Sequence, residues 1–430
     1  MILQHNEAAC LLEQGALYTR REGYHREGRD LVFAGFKQGA FSLYFGDAPI
    51  YHFDLEGRWQ RAYLRDRHFI KRLDGTVQEV ERVRQDGELF IRRRSLDPTQ
   101  VRKVDEEIRA AVSELLADLD REQGRRIAPP DGKATPIGED ELRAFLGRII
   151  AWDAAAWDAF DARVRACYGP LPFIPPDSPN AVVVQATLGD RDGCSFAAGP
   201  VHDYAARTPE EFDRHVREVA GLLGRRLHQT RTAFLAGADA LHLPGPEVLA
   251  FLDSVSRGLK TEEGTPAIDE VHAFVDDFQE PIIGPEDLRA AYDRRLTHIA
   301  IGVESGAPEL RRWYGKDWYD VDLQAFAADA KAAGIELSVL TLVGAGGRSR
   351  RSEHVERTRR LIESLLLTRG DLVFLLDERE LAASEGLPGG FEPLSEAEWR
   401  EQFELLRQGL SGLRERGVKV VPYSMVKQFA

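Results

Sequence analysis

The sequence contains few cysteines, no long apolar run and fewer basic than acidic residues. Its three cysteines, Cys10, Cys167 and Cys194, are far apart among 430 residues. This spacing excludes a disulfide framework and favours a reducing compartment. No stretch approaches the roughly 18 apolar residues of a membrane helix, and the N-terminus lacks the basic and apolar regions of a signal peptide. We therefore expect a cytoplasmic protein with no membrane partner.

Basic residues are in deficit, because 57 Lys and Arg stand against 71 Asp and Glu and give a net charge of −14. So acidic a chain lacks the basic face that non-specific nucleic-acid binding requires, and we expect no nucleic-acid partner. A length of 430 residues exceeds that of one ordinary domain. We predict an N-terminal β-rich domain over 1–100, a helical connector over 101–179 and a main domain over 180–430.

The N-terminal region contains short runs in which apolar and polar residues alternate. Residues 41–45 and 51–55 show this pattern, and Asp74-Gly75 is a turn signal. Such spacing predicts a small antiparallel sheet or barrel. Its aromatic residues fit either a ligand pocket or, as we prefer, the core of a small β domain. They are Tyr44, Phe45, Tyr51, His52, Phe53, Trp59 and Tyr63.

From residue 180 onward, apolar runs of strand length alternate with amphipathic segments. The predicted strands are Ala181–Leu188, Thr232–Ala236, Val271–Val275, His298–Val303, Leu337–Val343 and Leu372–Leu376, with Val418–Val421 as a closing strand. A helix is predicted after each of the first five strands, the fifth over Glu353–Leu366, and the spacing of Ser395 and Glu398 predicts the capped start of a last helix. This alternation predicts βαβ units and a parallel sheet. The sheet forms a partial or full barrel, or, as the second choice, a doubly wound open sheet. In both folds the chemistry lies at the carboxyl ends of the strands.

Glycine-rich segments follow several of these predicted strands. Glycine lets backbone amides approach a ligand closely, so loops of this kind on one rim indicate a site for a nucleoside-like ligand. Glu304 follows the fourth strand and is placed to accept hydrogen bonds from a ribose or an ammonium group. The candidate ligand-binding residues at these strand ends are Gly237, Ala238, Asp239, Gly302, Glu304, Ser305, Gly344, Ala345 and Gly346.

Residues 180–425 resemble the radical S-adenosylmethionine (SAM) superfamily, in particular its uncharacterised bacterial members. The stretches that carry the resemblance are 183–189, 234–241, 301–306 and 343–347, followed by His354 and Arg357. The resemblance implies a partial (β/α)6 TIM-type barrel that binds SAM through the candidate residues above, and it adds His354 and Arg357 to them. It does not cover the first 100 residues.

The resemblance fails at the superfamily's Cys-x3-Cys-x2-Cys signature, whose thiolates hold a [4Fe–4S] cluster. The corresponding positions are Asp190, Cys194 and Ala197, so a single cysteine remains. Alanine offers no ligand, and aspartate is a hard oxygen donor that suits this cluster poorly. We therefore do not expect an intact cluster, and the histidine spacing predicts no other dedicated metal site.

Three hypotheses follow for function. In the first, the barrel binds SAM or a related nucleoside and a small-molecule substrate, and performs polar group transfer. Asp190 and Asp192 then act as base or charge stabiliser, and Cys194 is the third candidate catalytic residue. In the second, the chain is a non-catalytic pseudoenzyme that serves as a scaffold. In the third, it is a radical enzyme with an unusual cluster.

Overall fold

The computed structural model describes residues 14–19, 31–37, 39–85, 88–120, 125–127, 137–169, 174–189, 204–237, 239–279, 282–377 and 391–423. The chain divides into two compact units. The N-terminal unit comprises residues 1–167, 221–229 and 261–265, and the C-terminal unit comprises residues 168–220, 230–260 and 266–430. One contains an antiparallel sheet and the other a parallel sheet, so the predicted α/β class is confirmed.

The N-terminal unit is built on a nine-stranded antiparallel sheet. Strands β1 to β8 lie side by side in sequence order, and β9 pairs with the free edge of β1. Short turns join most neighbours, which is the arrangement that alternating runs at close spacing predict. The strands are β1 (Gln14–Thr19), β2 (Leu31–Lys37), β3 (Ala40–Phe45), β4 (Ile50–Asp54), β5 (Trp59–Leu64), β6 (Arg67–Lys71), β7 (Val77–Gln85), β8 (Glu88–Ser95) and β9 (Arg125–Ile127).

Three helices pack on one face of this sheet: α1 (Pro98–Asp120), α2 (Glu139–Ile150) and α3 (Ala154–Cys167). The ring of Phe145 on α2 lies 4.5 Å from that of Phe41, centroid to centroid. Four of the seven aromatic residues named in the sequence analysis are buried in this core, in agreement with the interpretation that they form the core of a β domain. These four are Phe45, Tyr51, Phe53 and Trp59.

The C-terminal unit contains seven strands that are parallel throughout. Their order is β10, β13, β14, β15, β16, β17, β18, and each predicted strand overlaps one of them. The prediction Ala181–Leu188 is too long, since only Val182–Gln185 belongs to this sheet. The separate pair β11 (Thr187–Leu188) and β12 (Ala205–Ala206) is antiparallel. The seven strands are β10 (Val182–Gln185), β13 (Thr232–Ala236), β14 (Glu270–Val275), β15 (Leu296–Glu304), β16 (Glu336–Val343), β17 (Leu372–Asp377) and β18 (Lys419–Tyr423).

The strand order decides between the two predicted architectures. A doubly wound sheet reverses its strand order at a switch point, whereas this order never reverses. Right-handed crossovers in one direction place the connecting helices on one side of the sheet, as in a barrel. The doubly wound alternative is therefore excluded for the described strands.

The helices of the C-terminal part follow the predicted alternation. The helix predicted from Glu353 begins six residues earlier, at Gly347, because its polar first turn shows no apolar periodicity. Ser395 and Glu398 form the capping box that their spacing suggests. The helices are α4 (Pro209–Leu223), α5 (Gly245–Gly258), α6 (Pro285–Tyr292), α7 (Pro308–Trp313), α8 (Asp320–Ala333), α9 (Gly347–Ser364), α10 (Glu396–Gly409) and α11 (Gly412–Glu415), with 3-10 turns at Gly224–Gln229 and Ala240–His242. None of the described helices combines the length and apolar character that a membrane crossing requires.

The face of the parallel sheet that contains the even-numbered residues of β14 to β17 is layered from polar to apolar to polar. At the amino ends of the strands, His298 Nε2 lies 2.8 Å from Asp177 Oδ2 and 2.7 Å from Ser338 Oγ. A cluster of Ala, Leu, Phe and Tyr side chains fills the middle. At the carboxyl ends, Asp276 and Glu304 follow as the next polar layer.

Candidate functional site

Two carboxylates and one ammonium group form a buried cluster at the carboxyl ends of β14 and β15. Lys316 Nζ lies 2.7 Å from Glu304 Oε1 and 2.9 Å from Asp276 Oδ2. The exposed fractions of the three side chains are 6% for Lys316, 11% for Glu304 and 16% for Asp276. We call these residues the strand-end cluster. With all three groups ionised, it carries one net negative charge.

The local backbone explains why Glu304 is held here. Its φ of +54° lies in the left-handed region, which is uncommon for a residue other than glycine. The β15–β16 register shifts between Gly302 and Glu304, and Thr341 Oγ1 donates a 2.9 Å hydrogen bond to the Glu304 carbonyl. A Cβ atom on Gly302 would lie 2.8 Å from Asp276 Cβ and 3.1 Å from Lys316 Nζ. Glycine at 302 therefore makes room for the cluster.

Glu304 is only half satisfied by its protein partners. Its Oε1 accepts a hydrogen bond from Lys316, while its buried Oε2 has no hydrogen-bond partner among the described residues. Burial raises the pKa of Glu304 above its ordinary value; the ammonium of Lys316 opposes this shift and the carboxylate of Asp276 adds to it. A buried carboxylate oxygen without a donor is an acceptor available to a ligand.

Ser305 and His354 form a buried clamp next to the strand-end cluster. His354 Nε2 lies 2.8 Å from the Leu342 carbonyl, and its Nδ1 lies 2.8 Å from Ser305 Oγ. Burial lowers the pKa of His354 to about 4, so the ring is neutral at neutral pH. Nε2 then carries the proton and donates to the carbonyl, while Nδ1 accepts from the serine hydroxyl. Both ring nitrogens of His354 are therefore engaged by the protein.

Helix α9 holds the turn after β15 by a close backbone approach. A Cβ atom on Gly306 would lie 2.4 Å from the carbonyl carbon of Arg357. The amide of Gly306 donates a 2.8 Å hydrogen bond to Thr358 Oγ1. The side chain of Arg357 is exposed on the same helix.

The other glycines predicted to bind a ligand, at the carboxyl ends of the strands, lie close to atoms of the protein itself. Gly237 has a φ of +110°, and a Cβ there would lie 1.9 Å from Thr187 Oγ1. The amide of Gly344 donates a 2.6 Å hydrogen bond to Gln402 Oε1. A Cβ on Gly346 would lie 2.9 Å from Leu310 Cδ1.

Of six further predicted positions, two lie within the described residues. Asp239 and Ala345 are buried. Ala238 and the three predicted catalytic residues lie outside the described residues, so their roles stay predictions. Those three residues are Asp190, Asp192 and Cys194.

Three residues of the site were missed by the sequence analysis. Asp276 directly follows the third strand, and this position alone could have identified it. Lys316 lies in the segment after α7 and gives no local signal. Arg311, with 1% exposure, donates to Asp320 Oδ1 at 2.7 Å and stacks on Trp318 at 4.0 Å. Trp318 Nε1 donates a 3.1 Å hydrogen bond to the Asp276 carbonyl. Arg311 and Trp318 therefore help to hold Asp276 in position.

Comparisons with known proteins give only distant structural matches. No protein-family model and no curated protein matches the chain. Coproporphyrinogen III oxidase (HemN) from Escherichia coli, described as a radical SAM enzyme, shares 13% identity at a TM-score of 0.41 over 60% of this chain and 56% of that chain. Methylornithine synthase (PylB) shares 17% identity at a TM-score of 0.36 over 61% of this chain and 75% of that chain. Streptococcus suis SuiB shares 9% identity at a TM-score of 0.40 over 82% of this chain and 72% of that chain. The chain thus spans just over half the length of the coproporphyrinogen III oxidase structure.

Proposed function

We propose that the C-terminal unit binds SAM or a related nucleoside at the strand-end cluster. The observation that carries this proposal is the Oε2 atom of Glu304, which is buried and lacks a hydrogen-bond donor among the described residues. It lies at the carboxyl end of β15, the edge at which parallel sheets bind ligands. The sequence resemblance over 301–306 and 343–347 supports the same ligand.

The chemistry of the cluster suits such a ligand. SAM offers ribose hydroxyls and an ammonium group as hydrogen-bond donors, and its sulfonium carries positive charge. A cluster with one net negative charge favours all three features. An unpaired buried oxygen costs about 1–3 kcal/mol, and a ligand donor that pairs with it recovers this free energy. That corresponds to a gain of roughly 5- to 150-fold in affinity.

We further propose that the standard three-cysteine cluster does not form. Of the three signature positions, only Cys194 offers a thiolate, while Asp190 and Ala197 do not suit the cluster. These positions lie outside the described residues. The one cysteine among the described residues, Cys167, belongs to the N-terminal unit. The residues present therefore do not fit the three-cysteine ligand set.

Polar group transfer is the reaction class that this site is proposed to support. A substrate nucleophile forms a bond to the transferred carbon while the carbon–sulfur bond breaks and its electron pair stays on sulfur. A base takes up the proton that the nucleophile loses, and Asp190 and Asp192 are proposed for this role. Positioning and exclusion of water supply the remaining rate enhancement.

Calorimetry with SAM and S-adenosylhomocysteine tests the proposal, together with an iron assay after anaerobic reconstitution. We expect binding without iron, and at least a tenfold loss of affinity in Glu304→Gln, because the amide removes negative charge and one acceptor. Glu309→Gln is the matched control, since Glu309 is a half-exposed glutamate outside the cluster. Absence of binding to either nucleoside would favour the scaffold hypothesis. Bound iron and sulfide with a reducible EPR signal would favour the radical hypothesis instead.

A further inference from the structure

The N-terminal sheet has a second face, on the side away from its three helices. Across β3 to β8, consecutive cross-strand partners on this side form two rows. The first row is Tyr44, Ile50, Tyr63, His68, Val80 and Arg93, and the second is Ser42, His52, Arg61, Ile70, Gln78 and Ser95. Ten of these twelve residues are at least partly accessible, and we call the two rows the open face.

The open face is positively charged. Its two rows contain no acidic residue, and Arg82, two residues beyond Val80 on β7, lies on the same side. Neither Arg61 nor Arg82 forms an ion pair within the described part of the chain. On the helix-covered face, by contrast, Arg67 and Arg94 both bind Glu79. From Trp59 to Ser95 the chain has ten Lys and Arg against six Asp and Glu, a net charge of +4 within a chain of net charge −14.

Aromatic rings lie among these charges. The rings of Tyr63 and His68 are 4.8 Å apart, and those of Tyr44 and His52 are 5.9 Å apart. Burial and then the charge of Arg61 lower the pKa of His52. Burial and a neighbouring arginine lower the pKa of His68 in the same way. Both imidazoles are therefore neutral at neutral pH and present π faces without a charge of their own.

We propose that the open face binds a single-stranded nucleic acid. Partly exposed rings on a sheet stack against unpaired bases, and unpaired arginines neutralise the phosphodiester backbone; single-strand-binding proteins combine these two features. An uncharged polypeptide partner would explain the apolar residues but not the excess of unpaired arginine. The proposal departs from the expectation drawn from overall acidity, because positive charge is segregated onto this sheet. It is independent of the function proposed for the strand-end cluster.

Fluorescence anisotropy of the full chain with a labelled oligouridylate of about 12 nucleotides tests the proposal. The affinity should fall with salt. In the double variant Arg61→Ala/Arg82→Ala, we expect at least a tenfold loss and a salt slope smaller by about 1.4, because two phosphate contacts are removed. Tyr63→Ala should weaken binding by about tenfold, whereas Tyr63→Phe keeps the stacking ring and should bind like the wild type.

The matched control is Arg217→Ala/Arg400→Ala, which has the same net charge as the test variant and removes two exposed arginines of the C-terminal unit. Equal losses in both double variants would overturn the proposal, because charge alone would then account for binding. Absence of binding by the wild type at low salt would overturn it without any variant. A second copy of the chain would be the partner instead if sedimentation showed that the wild type self-associates, that Arg61→Ala/Arg82→Ala does not, and that no oligonucleotide binds. That result would also overturn the proposal.

Discussion

Replacing Lys316 by methionine removes the only positive charge of the strand-end cluster and keeps most of the side-chain volume. The two contacts of Nζ, at 2.7 and 2.9 Å, are each worth about 6 kcal/mol by Coulomb's law at an effective dielectric constant of about 20. Desolvation cancels much of this attraction, and removal of one partner from a buried pair typically costs about 3–5 kcal/mol. We expect Lys316→Met to lose that amount of unfolding free energy at about pH 8.

The pH dependence gives the sharper test of this prediction. Without the ammonium, burial and the facing Asp276 carboxylate raise the pKa of Glu304 further above its unfolded value. A carboxyl with a raised pKa binds more protons in the folded chain, so stability falls as pH rises and returns as pH falls. Urea unfolding should therefore show a smaller deficit at about pH 5 than at about pH 8. The double variant Lys316→Met/Glu304→Gln should recover part of the loss at the higher pH. A deficit below about 1 kcal/mol, or one independent of pH, would refute the reasoning.

Two further predictions concern the residues that hold the turn after β15. The folded chain does not protonate His354 until about pH 4, whereas the unfolded chain does so near 6.5, so this residue should lower stability by roughly 3 kcal/mol as pH falls through that window. Thermal or urea unfolding of His354→Gln should lack this component, and an unchanged pH profile would contradict it. Gly306→Ala should cost about 3 kcal/mol or more, because its Cβ would lie 2.4 Å from α9 backbone. Gly221→Ala, which meets nothing within 4 Å, serves as control and should be neutral or stabilising; similar values for both would argue against the close approach.

The sequence predicted the C-terminal fold well because its elements are marked locally. Strands β10 and β13 to β16 are largely buried on both faces and therefore read as continuous apolar runs, whereas β18 is partly exposed. Ser395 and Glu398 marked a helix start by their spacing alone. The start of helix α9 was predicted six residues too far along the chain, at Glu353 instead of Gly347. Its first turn is polar and shows no periodic pattern.

The candidate site was predicted only in part, for a different physical reason. Glu304 was identified because it directly follows a strand, and Asp276 follows a strand in the same way. The two carboxylates are joined by Lys316, which lies twelve residues beyond Glu304. Its position beside both depends on how the chain folds after α7, and the sequence gives no local signal for this. His354 was found through resemblance, yet only the structure shows that both of its ring nitrogens already have protein partners.

The apolar middle layer of the parallel sheet also limits the movement of protons. Ala300, Leu340 and Phe374 lie in the layer between the histidine-containing layer and the strand-end cluster, and none of their side chains relays a proton. Along these three side chains no proton passes between the two polar layers, whereas the hydroxyls of Tyr314 and Tyr423 in the same cluster are groups through which one would pass. Glu304 keeps 11% of its side chain accessible at the carboxyl ends of the strands, on the side where a ligand would bind, so protons that reach it from there need not cross the apolar layer. A ligand seated there would thus also control the rate at which Glu304 exchanges protons with solvent.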